Sequence, residues 1–266
     1  ADIDHLIDTG LSQIPKDCNV AKMIADIRVW HHDLPDWRDC RQKIQDHYGY
    51  DKYFGNCHVM PNHALMIMTM LYAPGDFSKG QMIVNTSGWD TDCNAGNVGC
   101  LHGIILGLDG LNIGPDWRGP IADRMLISSA DGGNSINDAV RMAYYITNLG
   151  RQLDGQKVLD APKAGAQFHF SLPGSVQGFQ IAGGDGLVSA SDSAIQISSN
   201  GGTVTATSPM FAPLDVLRMR TYDLMASPLI YPGQKVSAQV MSPQKNDGSI
   251  TVALRMRHYG EGDVLV

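Results

Sequence analysis

The 266-residue chain has no apolar run long enough to cross a bilayer, and no signal peptide is visible in it. It also lacks a basic surplus. Twenty Lys and Arg stand against 27 Asp and Glu, a net charge of -7. That balance argues against a general nucleic-acid or anionic-membrane binder, which needs a basic stripe, and is compatible with a divalent-metal site. CxxC pairs are absent as well. The five cysteines, Cys18, Cys40, Cys57, Cys93 and Cys100, are an odd, scattered set confined to the first part of the chain, a poor disulfide framework. Cys93 and Cys100 share a helix face roughly 10 Å apart, too far for a bridge, so reduced and mostly buried thiols are expected. Cys40, Cys57, His58 and His63 have zinc-ligand chemistry without the close spacing of a zinc site. Finally, no two aspartates are adjacent.

What the chain does have is a run of acidic oxygens at a turn, Ser87-Gly88-Trp89-Asp90-Thr91-Asp92-Cys93-Asn94-Ala95-Gly96. Two carboxylates sit two residues apart, Gly88 frees the entry of the turn, and Asp92 or Asn94 can cap the helix that follows. Hard divalent cations favour several oxygen ligands from such a constrained loop, with room for water. The alternative is an ordinary capping turn in which both carboxylates only satisfy backbone donors. From Asn94 to Gly107 the next helix carries Gly96, Gly99, Gly103 and Gly107 at spacings of three and four, and this predicts a bare face packed closely on another helix. Asn62 to Tyr72, apolar nearly all round, is the expected partner. His102 and Asp109 interrupt the apolar run and exclude a membrane-dimer reading.

The order Asp90-Thr91-Asp92-Cys93-Asn94-Ala95-Gly96-Asn97-Val98-Gly99, preceded by Pro61-Asn62-His63-Ala64 and Gly75-Asp76-Phe77, resembles the C-terminal half of the ADP-ribosylglycohydrolase family over roughly residues 1 to 150. The resemblance implies an all-helical domain and two Mg²⁺ or Mn²⁺ ions. It makes Asp90 and Asp92 metal ligands, Asp92 bridging both ions. Cys93 stands where the family usually has Thr or Ser, and a thiol is a poorer partner for Mg²⁺. Trp89, where the family often has glycine, is expected to wall the sugar pocket, a core tryptophan being the alternative. The family's N-terminal Thr-Asp-Asp stretch and early Glu have no counterpart here. The resemblance therefore implies a missing N-terminal half or a second chain, with Ala1-Asp2-Ile3 falling mid-domain.

Amphipathic patterns predict helices from Ile3 up to Pro15 with Ile3, Leu6, Ile7 and Leu11 on one stripe, from an Asn19 cap through Trp30, and from Asp36 through Ile44. Asp76 is expected to cap a helix carrying Phe77 to Val84, Pro120 to start a short one, and Ser135 to cap a last one through Leu149. After Asp154-Gly155 the period changes to two. Phe168, Phe170, Val176, Phe179, Ile181, Ile195, Ile197, Val204, Val236, Val240, Ile250 and Val252 fall in short runs between turn residues, and Asn246-Asp247-Gly248 reads as a hairpin turn. The expected organisation is an ADP-ribosylglycohydrolase-like helical domain over 1–155, then an antiparallel β-sandwich, jelly-roll-like, as an accessory domain over 156–266. Tyr222, Tyr231 and Tyr259 are candidates for stacking on a sugar or for half-buried sandwich positions.

The functional expectation is a metal-dependent hydrolase of an ADP-ribosyl or related ribofuranosyl bond. A non-catalytic scaffold on the same fold, or a glycoside hydrolase whose carbohydrate target is chosen by the β-domain, are the alternatives. Family resemblance points to the cytoplasm, and a glycan-binding β-domain to the periplasm or secretion. Neither a nucleic-acid nor a membrane partner is expected.

Overall fold

The computed structural model describes residues 2–126, 136–210, 218, 230, 232–242 and 250–264. The chain divides into two compact units, Ala1–Ile127 with Ile136–Pro209 and Ser128–Ser135 with Met210–Val266. In the first unit seven helices run as α1 (Ile3–Leu11), α2 (Asn19–Asp33), α3 (Trp37–Tyr48), α4 (Val59–Tyr72), α5 (Phe77–Thr86), α6 (Thr91–Leu111) and α7 (Ala139–Leu153). No helix among the described residues is long and apolar enough to cross a membrane.

Local capping explains most of the helix starts. Asp2, Asp36 and Asp76 each accept a backbone amide of the first turn with a side-chain oxygen. At α2 the cap is Cys18, whose sulfur accepts from the Ala21 amide, and Asn19 is already helical. The expectation of an Asn19 cap is corrected accordingly. α4 begins three residues before Asn62, because Pro61 in the first turn costs no intrahelical hydrogen bond.

α4 is the axis of the core. Met60, Ala64, Leu65, Met68, Met70 and Leu71 are buried on it, against Met23, Ile24 and Ile27 of α2, Cys40 and Ile44 of α3, Ile83 and Val84 of α5 and Val98 of α6. Burial of a helix on nearly all sides is what its composition predicts. α1 is tied to α2 through Arg28, which reaches both Asp4 and Asp8.

The glycine face of α6 behaves differently from expectation. A Cβ placed on Gly96, Gly103 or Gly107 would meet nothing within 4 Å, so these glycines are not close-packing contacts. The tight approach is made elsewhere. On α5, Gly80 lies against the His102 ring, and Gly99 of α6 faces Gln81 at 3.1 Å. The buried stripe of α6 is Asn94, Val98 and His102, one residue per turn. At Gly107 the backbone takes a φ of 65° and breaks the helix, so α6 is two segments joined at a kink.

α7 starts later than its apolar pattern predicts. Residues Ile136–Asp138 (β2) pair antiparallel with Arg124–Leu126 (β1), which keeps the chain extended as far as Asp138. Asp138 then caps α7 by accepting the Arg141 amide at 2.9 Å. This replaces the expected start at Ser135, a residue outside those described. Asp138 is itself buried, with His169 Nε2 at 3.2 Å and the Gln177 amide at 3.5 Å.

After α7 the unit contains two antiparallel ribbons. Gln180–Gly183 (β3) pairs with Thr205–Thr207 (β6), and Gly186–Ser191 (β4) pairs with Ala194–Ser199 (β5). Phe168, Phe170 and Phe179 were expected in strands. They form instead a cluster of rings 5.0–6.3 Å apart in a loop, where Phe170 and Gln177 have positive φ and the buried Gln177 side chain accepts the Phe170 amide. Leu187 and Ile197 on the ribbons are largely exposed, with no second sheet laid over them among the described residues.

In the second unit, Val236, Val240, Ile250, Val252 and Leu254 are exposed and irregular, and Tyr259 makes an isolated bridge. The antiparallel pairing expected of a β-sandwich is thus present as small ribbons, and among the described residues it goes no further. Tyr222, Tyr231 and the Asn246-Asp247-Gly248 turn lie outside the described residues.

Candidate functional site

α5 ends at Thr86 and α6 begins at Thr91, so residues 87–90 must reverse the chain in four residues. Gly88 and Trp89 do so with successive positive φ angles of 85° and 60°. The first is inexpensive for glycine. The second costs a tryptophan on the order of 1 kcal/mol or more and persists because its ring is held on the core. Tyr50 stacks on that ring at 5.3 Å and 24°, and the Arg41 guanidinium lies over it at 4.7 Å. Arg41 Nε also donates to the Ser87 carbonyl at 3.0 Å, pinning the start of the turn to α3.

The end of the turn is pinned to α4. Asn62, nearly fully buried, accepts the Asp90 amide at 3.2 Å and the Asn94 side-chain amide at 3.0 Å with one oxygen. Its own amide nitrogen donates to Tyr50 Oη at 2.9 Å and to the His58 carbonyl at 3.0 Å. Tyr50 Oη in turn accepts the Cys57 amide at 3.1 Å. One asparagine therefore fixes the acidic turn, the start of α4 and the loop before it.

This arrangement decides between caps and free carboxylates at one position. Asp90 occupies the cap position of α6, yet its side chain makes no capping hydrogen bond. Asp92 and Asn94 lie inside the helix, which corrects the expectation that either caps it. One ligand atom each from Asp90, Asp92 and Cys93 falls within 4.8 Å of the others, Asp90 partly buried and the other two exposed. The Asp92 carboxyl is held below the usual carboxylate range, first by its hydrogen-bonding partnership with Asp90 and then by the amides of Cys93 and Asp92 at the helix start. Asp92 therefore holds negative charge through the neutral range.

A residue not connected to this turn by its spacing is also present. The Cys57 thiol faces Asp90, as does Cys93, and hydrogen bonding to Asp90 together with the local negative charge pushes both thiols above the usual range. Cys57 lies 33 positions before Asp90, at a positive φ of 58°, and no sequence interval connects them. The grouping of Cys57 with Cys40 is not what the fold produces, since Cys40 is buried in the core and Cys57 is exposed.

Whether these groups suit a divalent cation follows from their chemistry. Two carboxylates, one with no capping duty, fit a hard ion that keeps several waters; the two thiols do not. Of the clustered groups, only the Asp90 and Asp92 carboxylates have the chemistry that a hard divalent cation favours.

A helical core that presents an acidic turn at the head of one helix is the class of architecture defined here. The family model for ADP-ribosylglycohydrolase matches residues 1–149, and the chain belongs to that family. The family is hydrolytic. Comparison with curated proteins and with solved structures gives no match.

Proposed function

We propose that the chain takes part in hydrolysis of an ADP-ribosyl or related ribofuranosyl glycosidic bond, with a divalent cation, Mg²⁺ or Mn²⁺, held by Asp90 and Asp92. The observation that carries this reading is the Asp90 carboxylate, fixed by Asn62 through its own amide and free of capping duty beside Asp92. A cation bound there supplies positive charge to ribose hydroxyl oxygens and to the attacking water. The carboxylates themselves favour positive charge building up on the sugar as the glycosidic bond lengthens. Trp89, with its ring fixed by Tyr50 and Arg41, forms a rigid wall beside the pair. Two carboxylates leave most of the coordination shell of such an ion to water or to other oxygen ligands. Residues 156–266 form an accessory region in this reading.

Hydrolysis of ADP-ribosylarginine, ADP-ribosylserine and a simple ribofuranoside, with Mg²⁺ or Mn²⁺ and with chelator, is the test. Activity that survives both chelator and Asp92→Ala overturns the mechanism.

The thiols favour a second reading, a scaffold that has kept the fold without the chemistry. Cys57 and Cys93 both turn toward the carboxylate that a hard cation would need. Calorimetric titration with Mn²⁺ separates the two readings, since a scaffold takes up no stoichiometric ion.

A further inference from the structure

On the α3 side of the Trp89 ring, Trp37, Arg38 and Arg41 of α3 and Met82 and Thr86 of α5 line an open cleft of about 370 Å³. Its lining holds two guanidinium groups and no carboxylate. Arg38 already has a countercharge, Asp36 at 3.3 Å, and lies over the Trp37 ring. Arg41 has none. Its partners are neutral: the Ser87 carbonyl on Nε at 3.0 Å, Gln45 Oε1 on Nη1 at 3.0 Å and the Trp89 ring. Nη2 makes no hydrogen bond among the described residues.

A half-buried cation without an opposite charge is costly, because its lost hydration is repaid only in part by neutral acceptors. Burial accordingly lowers the Arg41 pKa from its ordinary value, with no acidic group raising it back. Such a group is completed by an anion. A guanidinium with an unused nitrogen offers directed donors to a tetrahedral oxyanion, and a second guanidinium at the rim adds charge that a dianion uses better than a monoanion. The cleft volume lies near the lower end of small-molecule sites, with room for a phosphoryl group and a modest attachment against Trp37 and Met82.

We propose that this cleft is a phosphoanion-binding site centred on Arg41, adjoining the turn that Arg41 also pins and needing no metal. The site takes inorganic phosphate, pyrophosphate or the diphosphate of a nucleotide. Because Arg41 also covers Trp89, occupancy is readable from tryptophan fluorescence.

The experiment titrates the intact chain with pyrophosphate, ADP and inorganic phosphate in excess chelator, following tryptophan fluorescence and calorimetric heat, with acetate at equal ionic strength as the carboxylate control. Saturable binding of the phosphoanions and none of acetate is expected. Arg41→Lys should weaken it by at least about tenfold, the loss of a charge-assisted contact. Arg38→Gln should weaken it less, and Asp92→Asn should leave it in place. Arg38→Gln keeps the test valid if Arg41→Lys proves unstable, since Arg38 bonds only at the surface. No saturable binding in chelator, equal binding of acetate, or binding that both arginine variants retain overturns the proposal. Failure of the metal-dependent hydrolysis above would leave this result untouched, because the titration contains no free metal.

Discussion

Replacing Gly80 by alanine probes the contact that holds α5 and α6 together, and hence the four-residue turn between them. A Cβ at position 80 would lie 2.3 Å from His102 Cε1 and 2.8 Å from Nδ1. Ordinary contact needs more than an ångström of extra room. The ring cannot simply swing away, because it is fully buried, its Nε2 donates to the Ala73 carbonyl at 2.8 Å, and Phe77 stands edge-on at 6.3 Å. Moving it by that amount breaks the bond to Ala73 and presses the ring on its neighbours. Overpacking costs about 1–3 kcal/mol and an unpaired buried carbonyl about 1–3 kcal/mol more, while alanine regains about 1 kcal/mol of helix propensity. The expected net loss is about 3 kcal/mol, read as a lower urea midpoint with unchanged slope. The sign should reverse in a His102→Ala background, where the space is open and Gly80→Ala should stabilise by about 1 kcal/mol. A Gly80→Ala protein as stable as the parent, or one destabilised equally in both backgrounds, would refute this account of the helix pair.

Other outcomes follow from the same geometry. Asn62→Leu leaves the Asp90 amide and the Asn94 side chain without their shared acceptor; it should cost about 2–4 kcal/mol in urea unfolding and weaken Mn²⁺ uptake in calorimetry. Asp90→Asn should speed iodoacetamide labelling of Cys57 and Cys93 at pH 8, measured by peptide mass, because Asp90 is the first cause of both raised thiol pKa values. Burial lowers the pKa of His102, and likewise of His63 and His31, from 6.5. The unfolded chain therefore binds protons that the folded chain refuses. Stability is full above about pH 6.5 and falls as pH drops through that value toward the folded pKa values, by at most about 1.4 kcal/mol per pH unit for each histidine. His102→Gln should flatten that fall in urea midpoints taken between pH 7 and 5.5.

The helical half was legible because its signals are local. Periodic apolar residues place α1, and with the Asp36 and Asp76 caps also α3 and α5, close to where the structure has them, and the unbroken apolar composition of α4 makes it central. What failed depends on contacts between distant segments. Ser135 seemed a cap until β1 and β2 kept the chain extended up to Asp138, and nothing near Ser135 encodes that pairing. The α6 glycines suggested close packing, while the decisive glycine was Gly80 on the neighbouring helix, where only a ring 22 residues later explains it. At the acidic turn, Asp90, Asp92 and Cys93 are adjacent in sequence and were found together. Asn62 and Cys57 arrive through the tertiary fold; the first was legible only as a polar residue on an apolar helix and as part of the Pro61-Asn62-His63-Ala64 stretch, with no role attached. The phenylalanines near residue 170 alternate like a strand, but positive φ at Phe170 and Gln177 interrupts it.

The break at Gly107 separates α6 mechanically into two levers. At that swivel the short arm beyond residue 107 can lie off the axis of the long arm that carries Asn94, Val98 and His102. The segment that follows is held by α5 instead, where Ser78 donates to the Ile113 carbonyl and accepts from Trp117 Nε1, so a reporter on residues 112–117 would report on the α5 side of the fold.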